Sequence, residues 1–368
     1  MRRLLGAFMV LARADATRGA QTLPIPSATS TQTEYTIDAI RLAGDLARVV
    51  PGHDPEVFRR YAATGRVAPI RSADTTNMGA TYDEIAAPGE NYDKAEFRLW
   101  FPESVKTAQA VLVLMPGSNG DARPQVEDAA WQAFAVRHRL ALLGVRFTDK
   151  PHDQGFIEHY VNVSRGSGQA LLDTLANLAR KTGRVELAAA PLLLWGMSAG
   201  GQFNYEFVNW KPERVIAFVV NKGGIYYTAL TSQAARAVPG ILFIGGKDLD
   251  SRIQTITGLF ALNRRAGALW ALADEPGAGH IVGRSRDLAM MFFEDVLPAR
   301  LEEGAPRSSE SNALRAIVTG SGFLGDAETK EIWKIGEKDA PNYPTSWLPT
   351  SRLARAWQAM LTEKPFDP

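Results

Sequence analysis

The sequence contains no cysteine. It can form no disulfide, hold no metal through thiolates and use no cysteine nucleophile. It also lacks a dominant charge, since 41 Lys and Arg face 40 Asp and Glu. No net field marks a nucleic-acid partner or an anionic surface. The apolar run near the N-terminus, Leu4 to Ala12, is far shorter than the ~20 residues a helix needs to cross a bilayer. Stable membrane insertion is not expected. No internal repeat of solenoid period is visible. What remains is a chain of 368 residues, 45% hydrophobic and 22% charged, which suffices for one large core or a core with an appendage.

The first sixteen residues, MRRLLGAFMVLARADA, pair two arginines with that short apolar run and offer small residues at Ala12-Arg13-Ala14 or Ala14-Asp15-Ala16. This is the layout of a secretory signal, so a secreted or periplasmic protein is expected; a cytoplasmic one with a frayed N-terminal helix is the alternative. Gln21 to Thr33, rich in Pro, Ser and Thr, reads as a linker. Helical spacing follows over Ile37 to Val50, stopped by Pro51-Gly52, and a second short helix is expected near Pro55 to Ala63. Residues 17–72 thus form a linker and helical extension.

Beyond this point the pattern changes. Lys94 to Phe101 alternates polar with apolar, as a half-buried strand does. Ala110 to Met115, Leu140 to Phe147, Pro191 to Trp195, Val215 to Val220, Ile241 to Ile244 and Leu269 to Ala273 are almost wholly apolar. Such runs belong to a sheet covered on both faces, usually a parallel one. Helical stretches alternate with them at Val126 to Arg137, Gly168 to Thr182, Gln202 to Trp210, Ile253 to Ala266 and Arg286 to Leu297. The expectation is a three-layer α/β domain over residues 73–301, with a mostly parallel central sheet and helices on both faces. Glu302 to Ser311 reads as a linker, and residues 302–368 as a tail packing on that domain, anchored by Phe323, Trp333 and Trp347 and ending in a helix at Ser351 to Leu361.

One strand runs straight into Gly196-Met197-Ser198-Ala199-Gly200, and a helix opens at once. Between strand and helix, G-x-S-x-G has the context of a nucleophile elbow; a plain strand-to-helix turn with Ser198 as the helix cap is the alternative. The glycines allow a tight turn that lifts Ser198 Oγ out of the sheet and brings the Ala199 N–H toward a developing oxyanion. A serine needs a base to take its proton. His280, in EPGAGH, is the one histidine after Ser198, and it follows an apolar strand. The acid is expected after the preceding strand, where GGKDLD offers Asp248 nearest the strand end, with Asp250 in reserve. The loop Pro116-Gly117-Ser118-Asn119-Gly120 is placed to give a second oxyanion donor, with Ser118 N–H preferred over Asn119.

At these residues, PGSNG, GMSAGG, GGKD and GAGH in that order, the chain resembles the α/β-hydrolase superfamily, and within it serine esterases and depolymerases. The resemblance implies a carboxylic-ester hydrolase with the triad Ser198, His280 and Asp248, an acyl-enzyme intermediate, no cofactor and no metal. It departs where the oxyanion loop begins Pro-Gly in place of the His-Gly of many relatives. The short connection from Val220 to Ile241 leaves no room for a large lid, so substrate cover is expected from Phe156, His159 and Tyr160 in the loop Thr148 to Ser167, from the two aromatics of Ile225-Tyr226-Tyr227, Tyr226 foremost, and from Asn119. Aromatic walls would suit a small or a polymeric ester alike. A catalytically silent binding protein, or a lyase or haloperoxidase on the same fold, is the rival reading.

Two further patterns are set aside. Gly320-Ser321-Gly322-Phe323-Leu324-Gly325 matches G-x-G-x-x-G, but the chain ends too soon for a dinucleotide-binding βαβ half. His138, His152 and His159 with Asp149 and Asp153 fit no compact metal-ligand spacing. Neither the ester nor the oligomeric state is written in the sequence.

Overall fold

In the computed structural model, the described residues are 78–155, 157–301, 314–318 and 320–366, with the two dipeptides Met9–Val10 and Val49–Val50. The chain divides into Met1–Thr76 and Asn77–Pro368. In the first unit the dipeptides pair antiparallel. The helix expected over Ile37 to Val50 therefore does not include its last two residues. A residue before proline avoids the helical region, and β-branched valines favour extension, which accounts for the difference. The proposed signal segment, the linker Gln21 to Thr33, the helix Pro55 to Ala63, the linker Glu302 to Ser311 and Phe156 otherwise lie outside the described residues.

The second unit is built on eight strands: β1 Gly79–Ala86, β2 Lys94–Pro102, β3 Ala110–Met115, β4 Leu140–Thr148, β5 Leu192–Gly196, β6 Val215–Asn221, β7 Gly240–Gly245 and β8 Trp270–Glu275. Their order across the sheet is β8-β7-β6-β5-β3-β4-β2-β1. Every pairing is parallel except those of β2 with β1 and with β4. Only β2 runs against the others.

The apolar runs are apolar because both faces are covered. In β3, Val111, Val113 and Met115 join one core, while Ala110, Leu112 and Leu114 join the other. The first core is closed by helices α2 Ser167–Thr182, α3 Ala199–Trp210 and α4 Asp250–Arg265. The second is closed by α1 Ala129–Arg137, α5 Ser285–Arg300 and α6 Ser351–Leu361. The architecture is the expected one, a mostly parallel central sheet between two helical layers. Among the described residues no helix is long and apolar enough to cross a membrane.

Two features were not foreseen. β1 is an edge strand with exposed positions, held by Arg98, whose guanidinium forks onto both oxygens of Asp83 across the ladder at 2.7 and 2.9 Å. Its mixed sequence, GATYDEIA, lacks the apolar signal because only one side is partly buried. The C-terminal segment adds a small sheet, β9 Phe323–Gly325, β10 Ile332–Lys334 and β11 Ser346–Leu348, in the order β10-β9-β11. Strands of three residues leave no periodicity to read. In this setting the G-x-G-x-x-G run is a strand entry: Gly322 has φ +103°, and the next element after Gly325 is another strand.

The C-terminal segment grips the outer strand of the large sheet. Ser346 Oγ accepts from Leu272 N at 2.9 Å, and Trp357 Nε1 donates to Leu272 O at 2.7 Å. Trp357 is fully buried, and Trp333 and Trp347 nearly so. Trp357→Ala should therefore cost about 3–5 kcal/mol of stability, read as a lower urea midpoint. An unchanged midpoint would mean that this contact does not hold the tail.

Candidate active site

The loops at the carboxyl ends of β3, β5, β6, β7 and β8 converge on Ser198. β5 ends in Gly196, and the next turn carries Ser198 at φ +53° and ψ −119°. A non-glycine residue there is strained by about 1–3 kcal/mol and persists only where its surroundings impose it. They do: Ser198 N–H donates to Asn221 O at 2.7 Å, and Met197 N–H to Met115 O at 3.2 Å. Gly196 and Gly200 make the turn possible. A Cβ on Gly196 would lie 2.3 Å from the Gly200 carbonyl, and one on Gly200 would lie 2.6 Å from the Met115 and Pro116 carbonyls.

Three side chains far apart in sequence meet here. His280 Nε2 is 3.0 Å from Ser198 Oγ, and His280 Nδ1 is 2.8 Å from Asp248 Oδ2. An ionised carboxylate only accepts, so Nδ1 carries the proton and Nε2 is free to accept from the hydroxyl. The Asp248 side chain is 3% exposed. Burial works against its charge, but hydrogen bonds from His280, Leu249 N–H and Arg252 hold the carboxyl below its ordinary range. Asp250, the reserve, is an exposed residue at the start of α4.

The Pro116 to Gly120 loop flanks the serine. A Cβ on Gly117 would lie 3.7 Å from Ser198 Cβ. Among the described residues, the Ser118 and Ala199 N–H groups have no hydrogen-bond acceptor. Ala199 opens α3, where unpaired N–H groups and the helix dipole favour negative charge. Asn119, the second choice as donor, is otherwise engaged: its N–H donates to Tyr160 Oη at 3.2 Å, and its Oδ1 accepts from Asp149 N at 2.7 Å. It adopts φ +51°, a conformation asparagine tolerates better than most residues.

The residues expected to cover substrate have varied places. Tyr160 is buried, stacked on Phe147, with its hydroxyl held above its ordinary pKa by burial. It backs the Pro116 to Gly120 loop through Asn119 and does not present a wall to solvent. Tyr226 packs edge-on against Tyr205 with its hydroxyl buried; its neighbour Tyr227 is the exposed ring, at 46%. His159 stacks on His152 at 4.2 Å and bonds Gln154. Asp149 Oδ1 accepts from the His159 and Tyr160 N–H groups. His138 lies elsewhere, beside Glu294. Among the described residues no group of three or more His, Asp or Glu is gathered for a metal ion.

The sequence reading missed the polar side chains that brace these loops. Gln202 and Glu206 stand four and eight residues beyond Ser198, on one face of α3. Gln202 Oε1 accepts from Gly224 N, and Glu206 accepts from Tyr227 N, Thr228 N and Thr228 Oγ1. Burial raises the pKa of Glu206. Polar residues at i and i+4 on a helix flanked by apolar strands were the available signal.

If Asp248 holds the imidazole, Asp248→Asn should lower kcat by a factor on the order of 10⁴ while Asp250→Asn leaves it unchanged; the reverse result would reassign the acid. Tyr160→Phe removes the acceptor of the Asn119 N–H, worth about 1 kcal/mol, so kcat should fall roughly fivefold with no change in KM. A wild-type kcat in Tyr160→Phe would separate that hydroxyl from the loop's geometry.

No protein-family model matches the sequence, and no curated protein matches it. Among solved structures, poly(aspartic acid) hydrolase-1 from Sphingomonas sp. KT-1 aligns over 58% of this chain and 97% of its own, with a TM-score of 0.44 at 16% identity. Esterase PE8 aligns over 58% and 100%, with a TM-score of 0.43 at 18% identity. LpqC, a poly(3-hydroxybutyrate) depolymerase from Bordetella parapertussis, aligns over 62% and 92%, with a TM-score of 0.38 at 17% identity. This chain's own strand order, its single reversed strand and its serine elbow define the fold: it is an α/β-hydrolase fold.

Proposed function

We propose that the protein is a serine hydrolase that cleaves carboxylic esters through an acyl-enzyme intermediate. The observation that carries this reading is the unbroken relay from Ser198 Oγ to His280 to Asp248, at 3.0 and 2.8 Å, beside two N–H groups without acceptors among the described residues.

The chemistry follows from the geometry. His280 Nε2 takes the hydroxyl proton as Ser198 Oγ attacks the ester carbonyl. The resulting oxyanion lies toward the Ala199 and Ser118 N–H groups, which are fixed before the charge appears and so cost no reorganisation. Asp248 stabilises the imidazolium, which then gives its proton to the departing alcohol. Water enters, His280 takes one of its protons, and the acid leaves with Ser198 restored. Leu249 and Ile281, next in the chain to the acid and the base, are 60% and 58% exposed. Exposed apolar side chains next to the acid and the base suit the hydrocarbon part of an ester.

Turnover of p-nitrophenyl acetate should fall by about 10³-fold or more in Ser198→Ala, leaving only what binding and the oxyanion donors supply. Equal rates in the two proteins would remove the serine mechanism. A panel of short p-nitrophenyl, feruloyl, acetylated-sugar and polyester substrates would then define the acyl group.

A further inference from the structure

Lys222 follows β6 directly, and its side chain is wholly buried, with 0% exposure. Its ammonium donates to Glu275 Oε2 at 3.0 Å and to Ile281 O at 2.7 Å. Glu275 is the last residue of β8, and its other oxygen, Oε1, accepts from Arg284 N at 2.8 Å. His280 lies between Glu275 and Arg284. The loop is thus rooted on the glutamate at one end, where Ala278 N–H donates to Glu275 O at 3.0 Å, and tied back to the same carboxylate at the other. Gly283 permits the closure: it has φ +56°, and a Cβ there would lie 2.4 Å from the Glu275 carboxylate.

The turn that carries the acid is drawn into the same knot. A Cβ on Gly245 would lie 2.9 Å from Lys222 Cε, so the turn after β7 closes over the lysine stem. Lys247 N–H donates to Ala278 O at 2.9 Å, joining the Asp248 turn to the His280 loop. Burial pulls the Lys222 pKa below its ordinary value, and Glu275 opposes this.

Desolvating two charges costs several kcal/mol each, and apolar residues in place of a buried pair often leave a protein equally or more stable. Stability alone gives no reason for an ion pair here. Its position does: the ammonium bonds the carbonyl of the residue after His280, and a shift of about 1 Å in a catalytic base can cost 10²-fold in rate.

We infer that Lys222 and Glu275 are positioning residues for His280, holding both ends of its loop so that Nε2 stays within reach of Ser198 Oγ. This rests on the serine mechanism above. Lys222 is wholly buried and Glu275 nearly so, and substrate binding should not depend on them.

The test compares the full chain with Lys222→Met, Glu275→Gln and the double variant, using p-nitrophenyl acetate. Lys222→Met leaves a buried carboxylate unpaired and should lower the urea midpoint; adding Glu275→Gln removes that charge and should recover most of the loss. Active sites are counted by the p-nitrophenol released when Ser198 reacts to completion with diethyl p-nitrophenyl phosphate. In the folded double variant, kcat per counted site should fall about 10–100-fold with KM within about twofold. A kcat per counted site within about twofold of wild type would overturn the proposal. Ser198→Ala, run beside them, separates the two ideas: if it turns over substrate normally, the serine mechanism fails, whatever Lys222 does.

Discussion

The turn at Ser198 survives because Gly196 and Gly200 have no side chains to strike the backbone around them. A Cβ on either would come within 2.6 Å of a carbonyl, closer than real side chains approach. Given that clearance, the hydrogen bond from Ser198 N–H to Asn221 O locks the serine into its positive-φ conformation. The hydroxyl leaves the sheet on the side where the loops after β7 and β8 arrive, and the same turn begins α3, so the Ala199 N–H comes with it. A strained backbone at a single residue thereby brings Ser198 Oγ within 3.0 Å of His280 Nε2, with the Ala199 N–H next in the chain.

The cost of that strain is spread over a large apolar frame. Strands covered on both faces bury nearly every side chain of β3, β5, β6 and β7, and their burial gives the elbow a rigid support. Apolar packing reaches into the loops at Tyr160, Val161 and Val163 and, in part, at Tyr226. Their backbones are also held by buried polar side chains. Glu206 fixes the segment at Tyr227 and Thr228. Asn263 accepts from Thr231 N and donates to Ala229 O. Lys222 and Glu275 hold the segment around His280, Asp149 accepts from the His159 and Tyr160 N–H groups, and Tyr160 Oη accepts from Asn119 N. Each is a charge or dipole aimed at backbone groups that a loop leaves unpaired.

Aromatic residues near a site are a poor guide to what touches substrate. Tyr160 and Tyr226 stand in loops that border the site, yet both are turned inward, one to hold Asn119 and the other to pack on Tyr205. A large ring gains more by burial than by facing water, and nothing in the one-dimensional pattern says which of two adjacent tyrosines will turn in. The same limit hid β1 and the C-terminal sheet. An edge strand carrying Asp83 for Arg98 looks like any polar segment, and three-residue strands are too short to show a period.

The chain alone determined the α/β class, the strand segments from Lys94 onward, the glycine-flanked serine, and the histidine and pair of candidate aspartates that follow it. Those signals are local: an apolar run shows burial on both faces, and a glycine pair shows a turn that tolerates nothing larger. Tertiary structure decided which polar atoms meet. Asp248 and Asp250 differ by two positions in sequence, but only the first lies on the inner side of its turn, within 2.8 Å of the imidazole. Lys222 reads as an ordinary loop lysine until β8 and its glutamate close over it. Contacts of that kind depend on where strands distant in sequence end in space, and that is set by the packing of the whole sheet.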